Sequence, residues 1–294
     1  MKAIVLKDFG SVDELILEEL PKPVLKNNEV LIKVRAIGIN PVDAKTRKGK
    51  GQAQRIKNDK PMILGWDVAG EIVETGNESR LFKKGDEVFG MINIPGHGKA
   101  YAEFVAAPVD QLVLKSANIS FEEAAAAGIA AMTAWQALIT RGKVQKGQRV
   151  LIHAASGGVG HYAVQMAKNL GAYVIGSSSE KNKEFVMSLG ADEHLDYKDP
   201  NWESSIEPVD FILEAMGGEN IDRSLKLLKP GGTIISLPSG LSEDVADKAK
   251  AQGKNGIFFT VTSSGEDLQG IANMLKLGTL RSYVSKTFSF NEIK

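Results

Sequence analysis

Apolar positions follow two different rhythms along this chain. Through residues 1–120 they alternate with polar ones in short segments, "EVLIKVRAIGI", "VAGEIVETG", "GDEVFGMI" and "YAEFVAAP", which succeed one another across Gly, Pro and Asn turns. Alternation with a period of two marks strands with one buried face, so this part is predicted to be a mostly antiparallel β domain. Beyond it the runs are short and apolar at their centres: "QRVLIH", "AYVIGS", "EHLDY", "VDFILEA", "GTIISLP" and "GIFFTV". Strands buried on both faces read this way, and "EKNKEFVMSLG" and "NIDRSLKLLKPGG" between them read as helices. Six strands joined by crossovers are therefore predicted to form an α/β, doubly wound parallel sheet. The join, "SFEEAAAAGIAAMTAWQALI", is a small-residue helix with Ser120 as its N-cap and Glu122 and Glu123 in its first turn. The expected division is 1–120 for the β domain, 121–265 for the parallel sheet, and 266–294 returning to the β domain.

The loop after the first parallel strand carries the most specific signal. In "HAASGGVGHYAVQMAK" a strand ends and a helix begins, with Val159, Tyr162, Ala163, Met166, Ala167 and Leu170 at helical spacing. The dinucleotide fingerprint of the Rossmann fold reads onto Ala155, Gly157 and Gly160. Gly157 lets backbone approach a pyrophosphate, Gly160 lets helix and strand pack closely, and the helix N-terminus offers free N–H groups and positive dipole. An acid about twenty residues further on would bind the ribose of NAD. Here stands "VIGSSSEKN", in which Ser177, Ser178 and Ser179 supply hydroxyls and Lys181 a cation for a 2′-phosphate, which favours NADPH. Glu180 reads as an early helix residue facing outward.

Composition narrows the partners. Of 294 residues 43% are hydrophobic and 24% charged, and 36 Lys and Arg offset 36 Asp and Glu, so nothing points to nucleic acid or an anionic membrane. A small neutral or mildly polar substrate fits better. "MKAIVLKDFG" is broken by charge and reads as a strand, and no run nears the roughly eighteen apolar residues of a membrane span, so a cytoplasmic protein is expected. With no cysteine, disulfides, thiolate catalysis and Cys-based zinc sites are excluded. His97, His153, His161 and His194 include no pair spaced for a metal on one helix, and each is expected to be satisfied by backbone or solvent. No metal is expected.

The order of β domain, "AAAAGIAAMTAWQAL", "AASGGVG" and "LGADEHLDY" resembles the medium-chain dehydrogenase/reductases over essentially the whole chain. The resemblance implies a GroES-like β domain followed by a Rossmann domain. Zinc members carry a Cys in the segment matching "GINPVD" and a His-Glu pair in that matching "GWDVAG"; this chain has Asn40, Trp66 and Asp67. Without a Lewis acid the substrate must already be electrophilic, and the resemblance narrows this to the zinc-free quinone oxidoreductase and enone (alkenal) reductase branch. It implies NADP contacts at Gly158, Val159, Ser179, Lys181, Asn182 and Tyr197, with Lys45 near the nicotinamide ribose and substrate and Thr133 beside the nicotinamide. It also places the carboxamide on backbone around Leu237 and Phe259. Asn40 is structurally an N-cap, with Pro41 at the first helical position and Asp43 in the first turn; chemically Lys45, Asn40 or a ribose hydroxyl of the cofactor are candidates to stabilise a developing oxyanion or enolate. Water or Tyr101 would supply the proton, and Tyr101 also reads as a packed aromatic. A homodimer is expected, paired along the late strands. The alternatives are an NADPH-binding protein whose output is a partner interaction, and a zinc-free enoyl-thioester reductase. The chain stops at "TFSFNEIK", short of the helix and strand with which relatives usually continue.

Overall fold

Short alternating segments pair antiparallel in the first part of the chain. The computed structural model, which describes residues 1–238 and 244–293, places β1 (Lys2–Leu6) against β2 (Leu15–Glu19). A separate five-stranded sheet contains β3 (Glu29–Gly38), β4 (Asp67–Thr75), β5 (Glu87–Met91), β6 (Phe104–Pro108) and β7 (Val113–Leu114), in the order β6-β3-β4-β5-β7. Val30, Ile32, Val68, Ile72, Val88 and Val105 form its core, as the alternation requires. Between β3 and β4 come the helices α1 (Pro41–Arg47) and α2 (Ala53–Ile56); α3 (Phe121–Ala126) and α4 (Ile129–Trp135) follow β7. The predicted cap of α3 is reciprocal: the Glu123 N–H donates to the Ser120 hydroxyl at 3.1 Å, and the Ser120 N–H donates to the Glu123 carboxylate at 2.7 Å.

The second part is a six-stranded parallel sheet of β8 (Arg149–Ile152), β9 (Tyr173–Ser178), β10 (Glu193–Asp196), β11 (Val209–Glu214), β12 (Leu228–Ser236) and β13 (Asn255–Phe258). Its order, β10-β9-β8-β11-β12-β13, is that of the Rossmann fold, with the reversal of direction between β8 and β11. The crossovers carry α5 (Gly158–Asn169), α6 (Lys183–Ser188), α7 (Glu219–Leu227) and α8 (Val245–Lys250). The helix predicted from "NIDRSLKLLKPGG" stops at Leu227, because Pro230 and the positive φ of Gly231 cannot continue it. The last helix, α9 (Gly265–Leu277), belongs to the first part, where Asn118 Nδ2 donates to the Leu275 carbonyl at 3.2 Å.

The chain divides into a unit of Met1–Met132 with the segment from Thr262, and a unit of Thr133–Val261. Residues 121–132 and 262–265 thus group with the β unit, where the sequence division assigns them to the parallel sheet. The physical reasons are specific: the Ile129 N–H ends on the Asp67 carboxyl at 2.8 Å, and Ile94 and Ser263 exchange hydrogen bonds of 2.9 and 2.8 Å.

Candidate functional site

In the parallel-sheet unit the chain leaves β8 through His153 and Ala154, whose φ of 50° makes the sharp turn one residue before the fingerprint's first position. Ala155 is fully buried and donates its N–H to the Ser177 carbonyl at 2.8 Å, locking the loop to β9. Gly157 is extended and caps α5. A Cβ at Gly160 would lie 2.1 Å from the Ala154 carbonyl oxygen and 2.7 Å from Ala155 Cα, so only glycine permits this approach of helix and loop. Around Gly158, in contrast, an added Cβ meets nothing within 4 Å. The open backbone at Gly158 and Val159, with the unpaired N–H groups of a helix start, suits a diphosphate group.

Polar residues around this loop are mostly tied down. Ser177 and Ser178 do not present hydroxyls outward as the sequence suggested. Both are buried, and their hydroxyls meet His153 Nδ1 at 3.0 Å and His194 Nε2 at 2.9 Å. The Ser224 hydroxyl donates to Glu214 at 3.2 Å, so it accepts from His153 Nε2–H at 2.9 Å, and Nδ1 of the neutral ring accepts from Ser177. Burial holds the His153 pKa below its ordinary value, consistent with that neutral ring. His97 and His161 meet the backbone of Ile63 and Gly157, as expected, although His97 also pairs with Asp59; His153 and His194 use serines instead.

Ser179, buried as well, opens the turn Glu180–Asn182, where Asn182 Nδ2 donates to Ser156 Oγ at 3.0 Å and fastens this segment to the glycine loop. Glu180 is exposed and lies 3.3 Å from Lys183, while the exposed Lys181 makes no ion pair among the described residues. Tyr197 is exposed just past β10. The Leu237 and Phe259 N–H groups extend the sheet ladder, to Glu214 at 2.8 Å and Ser236 at 3.0 Å, so the backbone groups they retain for a ligand are carbonyls. Thr133 is buried on α4.

The β unit holds a second constellation. The Asn40 N–H donates to Asp43 at 2.6 Å, bearing out the predicted helix start, while Asn40 Nδ2 donates to Asp67 Oδ2 at 2.7 Å. Asp67 Oδ1 takes the Ile129 N–H. Trp66 is fully buried with its indole N–H on the Gly96 carbonyl at 3.0 Å. Lys45 lies further along α1 and is half-buried. Tyr101 is buried, and its hydroxyl faces Asp43. Its burial and the two acids keep it protonated far beyond neutrality, which favours the packed-aromatic reading over the proton donor. Burial raises Asp43 to about 7, against the N–H groups of Asn40 and Gly65 and the Tyr101 hydroxyl, and raises Asp67 well above the carboxylate range. Sequence reading explained Asp43 as a cap and missed Asp67 as more than a ligand replaced.

These acids bind protons more tightly folded than unfolded, so their contribution to stability is complete at low pH and is lost as pH rises. The buried histidines act oppositely, but only below about pH 6.5, where the unfolded rings titrate. Between about pH 6.5 and 8 stability therefore falls, by about 1 kcal/mol for Asp43, with Asp67 acting in the same direction. Urea midpoints across this window check it: Asp43→Asn should flatten the slope, and a rising wild-type midpoint would contradict the assignment.

Comparison with known proteins agrees with this architecture. Residues 26–117 match the alcohol dehydrogenase GroES-like domain, and residues 189–294 match the zinc-binding dehydrogenase family. The chain is 34% identical to the NADPH-dependent alkenal/one oxidoreductase, chloroplastic, of Arabidopsis thaliana, over 97% of this chain and 72% of that protein. It is also 34% identical to quinone oxidoreductase of Mus musculus, over 97% and 88%. The solved quinone oxidoreductase of Coxiella burnetii superposes with a TM-score of 0.93 at 36% identity, covering 99% of this chain and 92% of that one. The chain belongs to the medium-chain dehydrogenase/reductase family. Among its described residues no group of three or more His, Asp and Glu is placed to hold a metal ion, and no helix is long and apolar enough to cross a membrane.

Proposed function

We propose that the protein reduces a quinone, or the β-carbon of an α,β-unsaturated carbonyl, with NADPH and without a metal. The carrying observation is the glycine loop: a helix start with open backbone at Gly158, tied through Ser156 and Asn182 to a turn whose exposed Lys181 makes no ion pair among the described residues. The N–H groups of Gly158 and Val159 receive the diphosphate, and Ser179, Lys181 and Asn182 read the 2′-phosphate, with Tyr197 beside them. Carbonyls at Leu237 and Phe259 suit a carboxamide NH2. A bound nicotinamide supplies the hydride. Asn40 and Lys45 provide N–H donors for the oxygen on which negative charge grows, and Thr133 orients the ring's surroundings. At the positions of the family's zinc ligands this chain has an amide and an indole, with an acid bonded to two N–H donors, which supports a zinc-free reaction on an electrophilic substrate. Two copies pair along β13, which ends the sheet and leaves Phe258 exposed.

The test is kcat/KM for NADPH and NADH in wild type and Lys181→Ala, with quinones, enones and enoyl thioesters as acceptors. A preference for NADPH of roughly one to three orders of magnitude is expected, since a charge-assisted bond is worth about 1.5–3 kcal/mol. Lys181→Ala should lose much of it while hardly changing the NADH constants. Equal wild-type values would remove Lys181 as the discriminator.

A further inference from the structure

Asp67 occupies a slot shaped by glycines. A Cβ on Gly38, opposite it in the ladder, would lie 2.7 Å from Oδ2, and one on Gly128 would lie 2.1 Å from Oδ1. Oδ1 is committed in any protonation state, because the Ile129 N–H can only donate. Oδ2 meets the Asn40 carboxamide, which has a donor end and an acceptor end. An ionised Asp67 only accepts, so Asn40 gives it the NH2 and turns its own Oδ1 away. A neutral Asp67 carries its proton on Oδ2 and donates; the carboxamide then turns over and shows its NH2 instead.

We propose that Asp67 is a positioning residue whose proton decides whether Asn40 offers the reacting site an acceptor or a donor. This rests on the assignment of Asn40 to that site. The donor form is the one that serves a developing oxyanion, so acid conditions are the active ones. The titratable groups facing Asp67 are Asp43 from α1 and Tyr101 from the segment before β6. From β3 and β5 the register sets Gly38 and Met91 opposite it, and from the α3–α4 corner come Gly128 and Ile129. Glu123 of α3 is held on Ser120. Burial and the like charge of Asp43 both favour the neutral form.

The experiment reads the side chain and the rate separately. In ligand-free protein the ¹⁵N–¹H signals of the Asn40 NH2, identified by their loss in Asn40→Ser, should show a large step in wild type that is missing in Asp67→Asn, where only the smaller shift from Asp43 ionising at about 7 beside the Asn40 N–H remains. With NADPH and an enone, wild-type kcat should fall about a hundredfold from its acid to its alkaline plateau, the size of one lost oxyanion donor. Asp67→Asn should lack that limb, because its own amide always donates to Asn40. Asp43→Asn should move the limb to lower pH by removing the like charge. A wild-type Asn40 signal without the large step, a limb that survives Asp67→Asn, or one that vanishes in Asp43→Asn overturns the proposal. Should Asp67→Asn not fold, the wild-type titration and the Asp43→Asn shift decide. An Asn40→Ser enzyme with wild-type kcat would instead remove Asn40 from the reacting site, whatever its signals do.

Discussion

Gly160→Ala is expected to destabilise the parallel-sheet unit by at least about 3 kcal/mol and to abolish saturable dinucleotide binding. The added Cβ would meet the Ala154 carbonyl oxygen at 2.1 Å, Ala155 Cα at 2.7 Å and the Ala154 carbonyl carbon at 2.8 Å, all backbone atoms with no rotamer to change. Relief requires moving the loop away from α5, and that loop holds the Gly157 N–H on the Ala154 carbonyl and the Ala155 N–H on Ser177. Ala154 already stands at positive φ and has little freedom to absorb the shift. Gly158→Ala is the control, since its Cβ enters open space in the protein and would crowd only a ligand. Urea unfolding with a fluorescence titration of NADPH separates the two. Gly158→Ala should unfold like wild type and bind less tightly, whereas a Gly160→Ala protein of wild-type stability would mean that the loop is far softer than its contacts imply.

What the sequence revealed and what it hid divide along physical lines. Strand and helix periodicity, the Asn40-Pro41-Asp43 helix start and the packing role of Gly160 are local: each depends on neighbours within a few positions, and all were legible. The fates of Ser177 and Ser178 were not. A serine at the end of a strand suits a cofactor or a buried histidine equally, and the partners that decide it lie 24 and 16 positions away. The same holds for Asp67, whose donors are 27 and 62 positions distant. In sequence it is one acid beside a tryptophan; only the register of β3 with β4 and the turn before α4 reveal a carboxyl lodged between glycines. The domain boundary moved for a similar reason. "SFEEAAAAGIAAM" carries a correct helix signal, but which core a small-residue helix joins is set by the hydrogen bonds at its ends and not by its composition.

Glu214→Ala should be the most damaging single change in the parallel-sheet unit outside the glycine loop. Glu214 ends β11 beside β8, where the strand order reverses, and it is fully buried. Its carboxyl accepts from the Met216 N–H, from the Gly217 N–H at 2.9 Å, from Asn220 Nδ2 at 2.5 Å and from the Ser224 hydroxyl at 3.2 Å. Removing it strands the buried Gly217 N–H and Ser224 hydroxyl and the half-buried Asn220 amide, while Met216 is exposed; orphaned buried donors cost about 1–3 kcal/mol each, so a loss of at least about 3 kcal/mol is expected. Gly217 and Gly218 both stand at positive φ, and the carboxyl is what holds that turn against α7. Glu214→Gln keeps the shape and one acceptor for the two backbone amides, but turns an NH2 toward Asn220 and Ser224, which already donate there. Its loss should be smaller, about 1–2 kcal/mol. In open α/β sheets the cofactor crevice lies where the strand order reverses. The Gln variant should therefore also raise KM for NADPH more than it lowers kcat. Unfolding midpoints and steady-state kinetics of both variants give the answer, and an alanine variant within about 1 kcal/mol of wild type would show that water replaces the carboxyl at no cost and that the turn after β11 is held by α7 alone.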